Sequence, residues 1–236
     1  MENSLDNPVW NALISGNKHL SAGSERVKFF DREVSPFAGL IKNTPANLLA
    51  LYELSISDHP VLLWSVEQLS FPKIWKVIDC IPGYQMLYDL PTLPQHPISG
   101  ITQLTEKDVP EMMALTKLTK PGPFGKRTIE FGHYEGIFEN RQLVAMTGQR
   151  FHPFDHVEIS AVCTHPDYLG KGYAKQLLCS QLAKIVDTDC KPHLHVRQDN
   201  ERAIHVYKTL GFRIRIPVYF YVIQKMVSAG TKVMDQ

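Results

Sequence analysis

The chain has 236 residues, of which 44% are hydrophobic and 21% are charged, and its formal net charge is +1. This composition is ordinary for a globular protein, so it excludes wholesale disorder and fibrous repeats, and the balanced charge gives no reason to expect a nucleic-acid partner. No apolar run approaches the ~20 residues that cross a bilayer, and the N-terminus lacks a signal-peptide pattern, so we expect a cytoplasmic protein without a membrane partner.

The first predicted elements carry no catalytic pattern. Residues 45–54 have apolar side chains at roughly helical spacing and are predicted to form a helix. Residues 61–64 and 75–78 are short apolar runs that are typical of strands. Together they indicate a small α/β domain with a packing or substrate-shaping role.

A proline-rich segment divides the chain. Residues 91–97 contain three prolines, which favour an extended connector. We therefore predict an N-terminal domain of residues 1–90, a linker of residues 91–98 and a second domain of residues 99–236.

Beyond the linker, predicted strands and amphipathic helices alternate, which indicates an α/β fold with a mixed sheet. In chain order they are a helix that follows the capping residues Thr105 and Asp108 and runs to about Leu118, a hairpin of residues 134–139 and 142–151, a strand at 157–164, a helix from about 174 to 186, a strand at 193–197, a helix at 200–210 that ends before Gly211, and strands at 213–216 and 218–224 separated by Pro217.

A glycine-containing loop joins the strand at 157–164 to the next helix. Residues 170–172 read Gly-Lys-Gly and lead into a first helical turn, where free N–H groups and the helix dipole favour an anion. Lys171 and Lys175 add positive charge. The loop lacks the GxxxxGK[ST] pattern, and Lys175 replaces the third glycine of a dinucleotide-binding turn. The loop therefore predicts a phosphate site without naming its ligand.

A second motif points to a family. Asn200, Ala203, Tyr207, Gly211 and Phe212 follow the spacing N-x-x-A-x-x-x-Y-x-x-x-G-F. Together with the loop from residue 169 to residue 174, which reads Leu-Gly-Lys-Gly-Tyr-Ala, this spacing resembles the GNAT superfamily of N-acetyltransferases over roughly residues 99–225. The resemblance is greatest to the glycine N-acyltransferase-like branch. One residue departs from the family pattern, since the loop begins with Leu where the family usually has Gln or Arg.

The resemblance implies a GNAT-like acyltransferase fold for residues 99–236, beside a smaller N-terminal α/β domain that could be a degenerate copy of the same fold. It implies acetyl-CoA as the acyl donor, with the pantetheine arm held by strand backbone where adjacent strands splay apart, and the pyrophosphate held by loop N–H groups. The cofactor-binding residues that it implies are Val162, Cys163, Thr164, Leu169, Gly170, Lys171, Gly172, Tyr173, Ala174, Lys175, Asn200 and Tyr207.

The resemblance also implies a catalytic role for Tyr207. A phenol with a pKa of about 10 is protonated at neutral pH and can donate to a leaving thiolate. The structural alternative is a core aromatic side chain whose hydroxyl finds any partner.

The general base is left open between two residues and water. An alkylamine with a pKa near 10.4 is almost wholly protonated at pH 7, so a base would help. Glu158 lies on the predicted strand, where alternation places it on one face with Ser160, Val162 and Thr164. His195 lies five residues before Asn200, where ribosomal-protein acetyltransferases of this superfamily carry a Glu base.

The predicted reaction is direct attack of a primary amine on the thioester in a ternary complex. A covalent intermediate on Cys163 is not expected, because alternation turns this residue away from Glu158. The alternative is a non-catalytic CoA-binding regulatory module. An amino acid, a polyamine, a drug-like amine and a protein N-terminus all remain open as acceptors, as does the oligomeric state.

No metal site or disulfide framework is predicted. His193 and His195 share a strand face, but no carboxylate or cysteine pattern accompanies them. The chain has four cysteines and no CxxC pair, so we expect reduced thiols.

Overall fold

The structure is a computed structural model that describes residues 3–55, 59–94 and 99–226. Residues 95–98 of the predicted linker and residues 227–236 lie outside the described residues. Within the described ranges, no helix is both long and apolar enough to cross a lipid bilayer.

The described residues form five α-helices and eleven strands. The helices are α1 (Pro8–Ile14), α2 (Pro45–Leu54), α3 (Val109–Thr119), α4 (Tyr173–Val186) and α5 (Glu201–Thr209). The strands are β1 (Ser21–Gly23), β2 (Val27–Phe30), β3 (Ala38–Leu40), β4 (Val61–Ser65), β5 (Trp75–Leu87), β6 (Ile101–Gln103), β7 (Glu135–Glu139), β8 (Gln142–Gln149), β9 (His156–Thr164), β10 (Lys191–Arg197) and β11 (Arg213–Lys225).

Eight of these strands form one mixed sheet in the order β4-β11-β5-β10-β9-β8-β7-β6, and β1, β2 and β3 form a small antiparallel sheet. Strands β9 and β10 are parallel, and the other neighbouring pairs of the large sheet are antiparallel. The β9–β10 ladder ends at His193 and Glu158, although β9 continues to Thr164 and β10 to Arg197. The two strands therefore splay apart and leave a gap between them.

Two cores hold the layers on either side of this sheet. One core joins α4 and α5 to the strands through Leu178, Leu182, Tyr207, Leu194 and Met86, among others. The other core joins α1, α3 and the small sheet to the opposite face, and its members include Val9, Met112, Phe30, Met146 and Cys163. The gap between β9 and β10 is thus bordered by helices on one face and by the N-terminal elements on the other.

Most predicted elements are present, including the helix at 45–54, the hairpin and the two helices that carry the motifs. The predicted capping box is also present, since the Thr105 N–H donates to the Asp108 carboxylate at 2.7 Å. The predicted division at Pro217 is wrong, because residues 213–225 form one strand. The strand can continue for two reasons. Its register shifts at Arg215, and Pro217 lies outside the part of β11 that pairs with β4.

Strand β5 is longer than predicted and lies in an unexpected place. The sequence predicts a strand at 75–78, whereas β5 runs to Leu87 and pairs with both β10 and β11. The division into domains of residues 1–90 and 99–236 stays a prediction, but strands from both sides of the linker share one sheet. The N-terminal part therefore supplies the strand that fills the space between β10 and β11.

Candidate active site

A cavity of about 750 Å³ lies at the gap between β9 and β10. Its wall includes the C-terminal part of β9, the loop before α4, the first turns of α4 and α5, and the C-terminal end of α3. The predicted binding residues that line it are Val162, Cys163, Thr164, Leu169, Gly170, Lys171, Gly172, Tyr173, Ala174, Lys175, Asn200 and Tyr207. The structure thus brings together every predicted cofactor-binding residue in one cavity.

The loop before α4 presents free N–H groups to this cavity. Gly170 and Gly172 both have positive φ angles, of 83° and 81°, which non-glycine residues rarely adopt. Gly172 is the N-cap of α4 and has no side-chain cap, and the Gln176 N–H donates to the Gly172 carbonyl at 3.1 Å. The amides of residues 173–175, in the first turn of α4, therefore have no intrahelical partner and are available to an anion.

The spacing of the second motif has a local structural cause. Asn200 is the N-cap of α5, and its Oδ1 accepts a hydrogen bond from the Ala203 N–H at 3.1 Å. This contact explains the N-x-x-A spacing and leaves the Asn200 amide nitrogen for a ligand. Gly211 then ends the helix at φ 103°, so that Phe212 packs against Tyr207 with ring centroids 6.0 Å apart. The motif therefore fixes the position of Tyr207.

Tyr207 lines the cavity although only 7% of it is exposed. Burial, with a smaller contribution from Cys163, raises the pKa of Tyr207 well above its usual range. The phenol is therefore protonated at neutral pH and can donate a proton, but it cannot act as a base.

A β-bulge reverses the side-chain alternation of β9. Ala161 has a φ of 53°, and the register with β8 shifts by one residue at this point. As a result, Val162 packs with the core on the α4 and α5 side, while Cys163 packs with the core on the opposite face. The expectation that Glu158 shares a face with Val162, and that Cys163 turns away from it, is wrong.

Cys163 is nevertheless a poor nucleophile. Burial raises the pKa of its thiol to about 11, and the hydrogen bond with Thr119 offsets this only in part. The thiolate is therefore scarce at neutral pH, and a covalent intermediate is disfavoured for a reason other than the one drawn from alternation.

Glu158 is buried in an ion pair and does not line the cavity. It is 1% exposed, and Arg150 binds it through Nε and Nη2 at 2.9 and 2.6 Å. Burial alone would raise the pKa of Glu158, but Arg150 and His195 outweigh it and hold this pKa well below its usual range. Glu158 is therefore an ionised carboxylate with low basicity.

His195 lines the cavity, but its side chain is only 2% exposed and both ring nitrogens have partners. Nδ1 lies 2.7 Å from Glu158 Oε1, and Nε2 lies 3.1 Å from the Gln85 amide nitrogen. Arg215 donates to Gln85 Oε1 at 2.8 Å, so the amide nitrogen must face His195. With the amide nitrogen of Gln85 facing it, Nε2 of His195 accepts from Gln85, and Nδ1–H donates to Glu158.

The three predicted catalytic residues thus differ in whether their reactive atoms can reach the cavity. Tyr207 lines the cavity, whereas the ionisable atoms of Glu158 and His195 face each other and Gln85 rather than open space. Sequence reasoning missed Arg150 and Gln85, which hold these two residues, because their contacts join positions far apart in the chain and leave no local pattern.

Glu158, His193 and His195 could hold a metal ion by distance alone, since one ligand atom of each lies within 4.8 Å of the others. The chemistry does not fit, because both oxygens of Glu158 already bind Arg150, and a divalent cation would lie beside this guanidinium. The prediction of no metal site stays a prediction.

His193 is fully buried, and neither of its ring nitrogens has a hydrogen-bond partner among the described residues. We expect His193→Phe to keep or raise the free energy of unfolding by about 1 kcal/mol at pH 7, because it removes an uncompensated polar group. Burial holds the pKa of His193 well below its usual range. Below about pH 6.5 the unfolded chain therefore gains a proton that the folded chain does not, and the advantage of the variant grows.

Urea unfolding of both proteins between pH 5 and 8 measures this difference, with exposed His205→Phe as the control for the substitution itself. A loss of more than about 1 kcal/mol in His193→Phe at pH 7 would show that the imidazole has a stabilising partner.

Comparisons with known proteins show which family the chain resembles. A family model described as FR47-like protein matches residues 134–221. The chain is similar to the crystal structure of a GNAT-family protein from Novosphingobium aromaticivorans that is assigned as an acetyltransferase, with 34% identity, coverage of 96% of this chain and 100% of that chain, and a TM-score of 0.89. A search of curated proteins found no significant match.

Two more distant structures share the fold. A GCN5-related N-acetyltransferase from Kribbella flavida is 14% identical, covers 89% of this chain and 92% of that chain, and has a TM-score of 0.60. A GCN5-related N-acetyltransferase from Sphaerobacter thermophilus is 12% identical, with coverage of 80% and 71% and a TM-score of 0.52. These two show the fold alone.

The chain belongs to the GNAT family of acetyltransferases. The predicted α/β class with a mixed sheet is confirmed. The family implies acyl transfer from acetyl-CoA to an amine, and the acceptor is not set by these comparisons.

Proposed function

We propose that the protein transfers an acetyl or short acyl group from acetyl-CoA to a primary amine by direct attack in a ternary complex. The observation that carries this proposal is the shared cavity, which is lined by the free amides before α4, by the splayed end of β9 and by Tyr207.

The binding part of the proposal rests on charge and free donors. The amides of residues 170–175 would hold the pyrophosphate, and Lys171 and Lys175 would add charge beside it. The backbone of residues 162–164 would hold the pantetheine arm along the β9 side of the gap, and the Asn200 amide nitrogen would donate to the same arm.

The chemical part of the proposal needs one proton donor and one route for a proton to leave. As the amine nitrogen bonds to the acyl carbon, the carbon–sulfur bond breaks, Tyr207 donates its proton to the leaving sulfur, and water then returns a proton to Tyr207. Since Glu158 is held ionised by Arg150, and both His195 nitrogens are bonded, we propose that the amine loses its proton to water in the cavity. Glu158 and His195 then act as positioning residues.

A second candidate, a CoA-binding regulatory module without turnover, is favoured by one observation. The ionisable atoms of both predicted bases are buried and already bonded. This candidate keeps the cavity and its ligand but has no transfer step.

Release of free thiol from acetyl-CoA across a panel of amines decides between the two candidates. We expect release with at least one amine, and we expect acetyl-CoA at about 100 times its Kd to stabilise the protein by about 2.7 kcal/mol. Stabilisation without release from any amine would favour the regulatory module. No stabilisation by CoA, or equal stabilisation by ATP, would count against both.

Two finer assignments stay proposals. Membership of the glycine N-acyltransferase-like branch rests on the motif resemblance, and the cytoplasmic location rests on the sequence pattern. All four cysteines are unpaired.

A further inference from the structure

A chain of hydrogen bonds runs from Asp6, which is exposed, to the wall of the cavity. Asp6 accepts from Arg215 Nη2, and Arg215 Nη1 donates to Gln85 Oε1 at 2.8 Å. Gln85 Nε2 lies 3.1 Å from His195 Nε2, and His195 Nδ1 lies 2.7 Å from Glu158 Oε1. Of these five residues, only His195 lines the cavity. An effect of the others on the reaction must therefore pass through a residue that does.

The amide of Gln85 has one orientation that satisfies all of its partners. Gln85 is fully buried, its Nε2 also donates to the Leu5 carbonyl at 3.0 Å, and its Oε1 accepts from Arg215. A rotated amide would place Oε1 against the Leu5 carbonyl oxygen and Nε2 against the Arg215 guanidinium, so both contacts would become repulsive. The amide nitrogen therefore stays turned toward His195.

Two features of the strands bring these side chains together. Gln85 on β5 is the direct register partner of His195 on β10, so the two side chains lie on one face of the sheet. The register of β11 against β5 shifts by one residue at Arg215, which stays outside the pairing. A bulge of this kind re-aims a side chain, and here it lets Arg215 reach Gln85 from the neighbouring strand.

The orientation of Gln85 decides which ring nitrogen of His195 carries the hydrogen. Since the amide donates to Nε2, the hydrogen lies on Nδ1 and is donated to Glu158. With the hydrogen on Nε2 instead, the Nδ1 lone pair would face the Glu158 carboxylate, and the two side chains would move apart. Arg150, which binds the same carboxylate and lines the cavity, would move with it.

We propose that Gln85 and Arg215 are positioning residues for the transfer reaction, because they hold His195 in the tautomer that keeps Glu158 in place. This inference rests on the proposed function. A displacement of about 1 Å in a reacting site can cost about 10²-fold in rate, so a shift of His195 and Arg150 in the cavity wall is expected to slow turnover. The part of the chain before the predicted linker, which supplies Gln85, then acts on the reaction through the cavity wall and not only through packing.

Nitrogen-15 NMR of the full-length protein tests the tautomer, with His195→Gln used to assign the His195 signals. We expect a hydrogen on Nδ1 and none on Nε2 in the wild type at neutral pH. In Gln85→Glu a carboxylate oxygen replaces the donor and keeps the contact with Arg215, so we expect a hydrogen to appear on Nε2. A hydrogen on Nε2 in the wild type, or an unchanged His195 spectrum in Gln85→Glu, would overturn the inference.

Kinetics test the role of these residues in the reaction. We expect Gln85→Glu and Arg215→Met to lower kcat about tenfold, while the Kd for CoA changes by less than about twofold. Arg215→Lys, which can still donate to Gln85, should recover part of the loss. Arg213→Met is the matched control, because Arg213 lies on the same strand and binds Asp89 at the surface, and it should retain wild-type kcat.

The outcomes separate this inference from the proposed function. A changed tautomer in Gln85→Glu with kcat within about twofold of wild type would overturn the positioning role and leave transfer intact. Absence of thiol release with every amine would refute transfer and the role in the reaction, whereas the NMR comparison would still decide whether Gln85 fixes the tautomer. Kinetics are measured below the unfolding transition of each variant, and the wild-type spectrum does not depend on the folding of any variant.

Discussion

Tyr207→Phe is expected to lower kcat for acyl transfer by about 10²-fold or more, while the Kd for CoA changes by less than about twofold. The substitution removes the hydroxyl and keeps the ring, so the contact between this side chain and Phe212 is retained. Because the hydroxyl is the only group lost, the effect on kcat reports proton donation to the leaving sulfur and not the packing of α5.

The readout is thiol release at saturating amine, together with CoA titration of the same preparation. Tyr219→Phe on β11, whose side chain packs in the core near α2, is the matched control and should retain wild-type kcat. A kcat within about threefold of wild type in Tyr207→Phe would remove this residue from the chemistry and leave it a structural role.

Glu158→Gln is expected to lower the free energy of unfolding by about 3–5 kcal/mol at pH 7, because it leaves the guanidinium of Arg150, whose side chain is only 12% exposed, without a counter-charge. The surface pair between Arg127 and Glu130 is the matched control, and Glu130→Gln should cost less than about 1 kcal/mol because water screens that pair. Urea unfolding measures both. A loss below about 1 kcal/mol in Glu158→Gln would contradict the buried ion pair, and a loss of kcat without loss of stability would restore Glu158 as a base.

The free energy of unfolding that Glu158 contributes is also expected to depend on pH. The folded state holds the pKa of Glu158 below the value of about 4.3 in an unfolded chain, so its contribution is present above that pH and is lost as the pH falls below it. The stability difference between wild type and Glu158→Gln should therefore be constant from about pH 6 to 8 and shrink below about pH 4.3. A second buried group, His152, has its pKa lowered to about 4 mainly by burial, so it also weakens the wild type in acid, and the loss of the Glu158 charge, which partly opposes this lowering, adds to that effect in the variant.

Structural features that depend on short stretches of sequence could be predicted. The glycines at 170 and 172, the cap at Asn200 and the helix end at Gly211 each depend on contacts within a few residues, so their pattern predicts both the local structure and the cavity wall that they form. The positions of the binding residues could be predicted from the two motifs, because both motifs lie at the same edge of the gap between β9 and β10.

Features that depend on distant contacts could not be predicted. The sequence predicts a strand that ends at residue 78, yet β5 passes through Pro82 and Gly83. Gly83 is required because a Cβ there would lie 2.9 Å from the Val196 carbonyl oxygen. The bulge at Ala161 has no signal in its residue type, since the positive φ is imposed on an alanine by the pairing with β8. The burial of Glu158 depends on Arg150 and on the N-terminal elements that cover this face.

A crystal structure with bound CoA tests the central claim most directly. The account predicts a pyrophosphate within hydrogen-bond distance of the amides of residues 170–175, and a sulfur atom within about 3.5 Å of the Tyr207 hydroxyl. A CoA molecule bound outside this cavity, or one whose sulfur points away from Tyr207 while its phosphates occupy the loop, would contradict it.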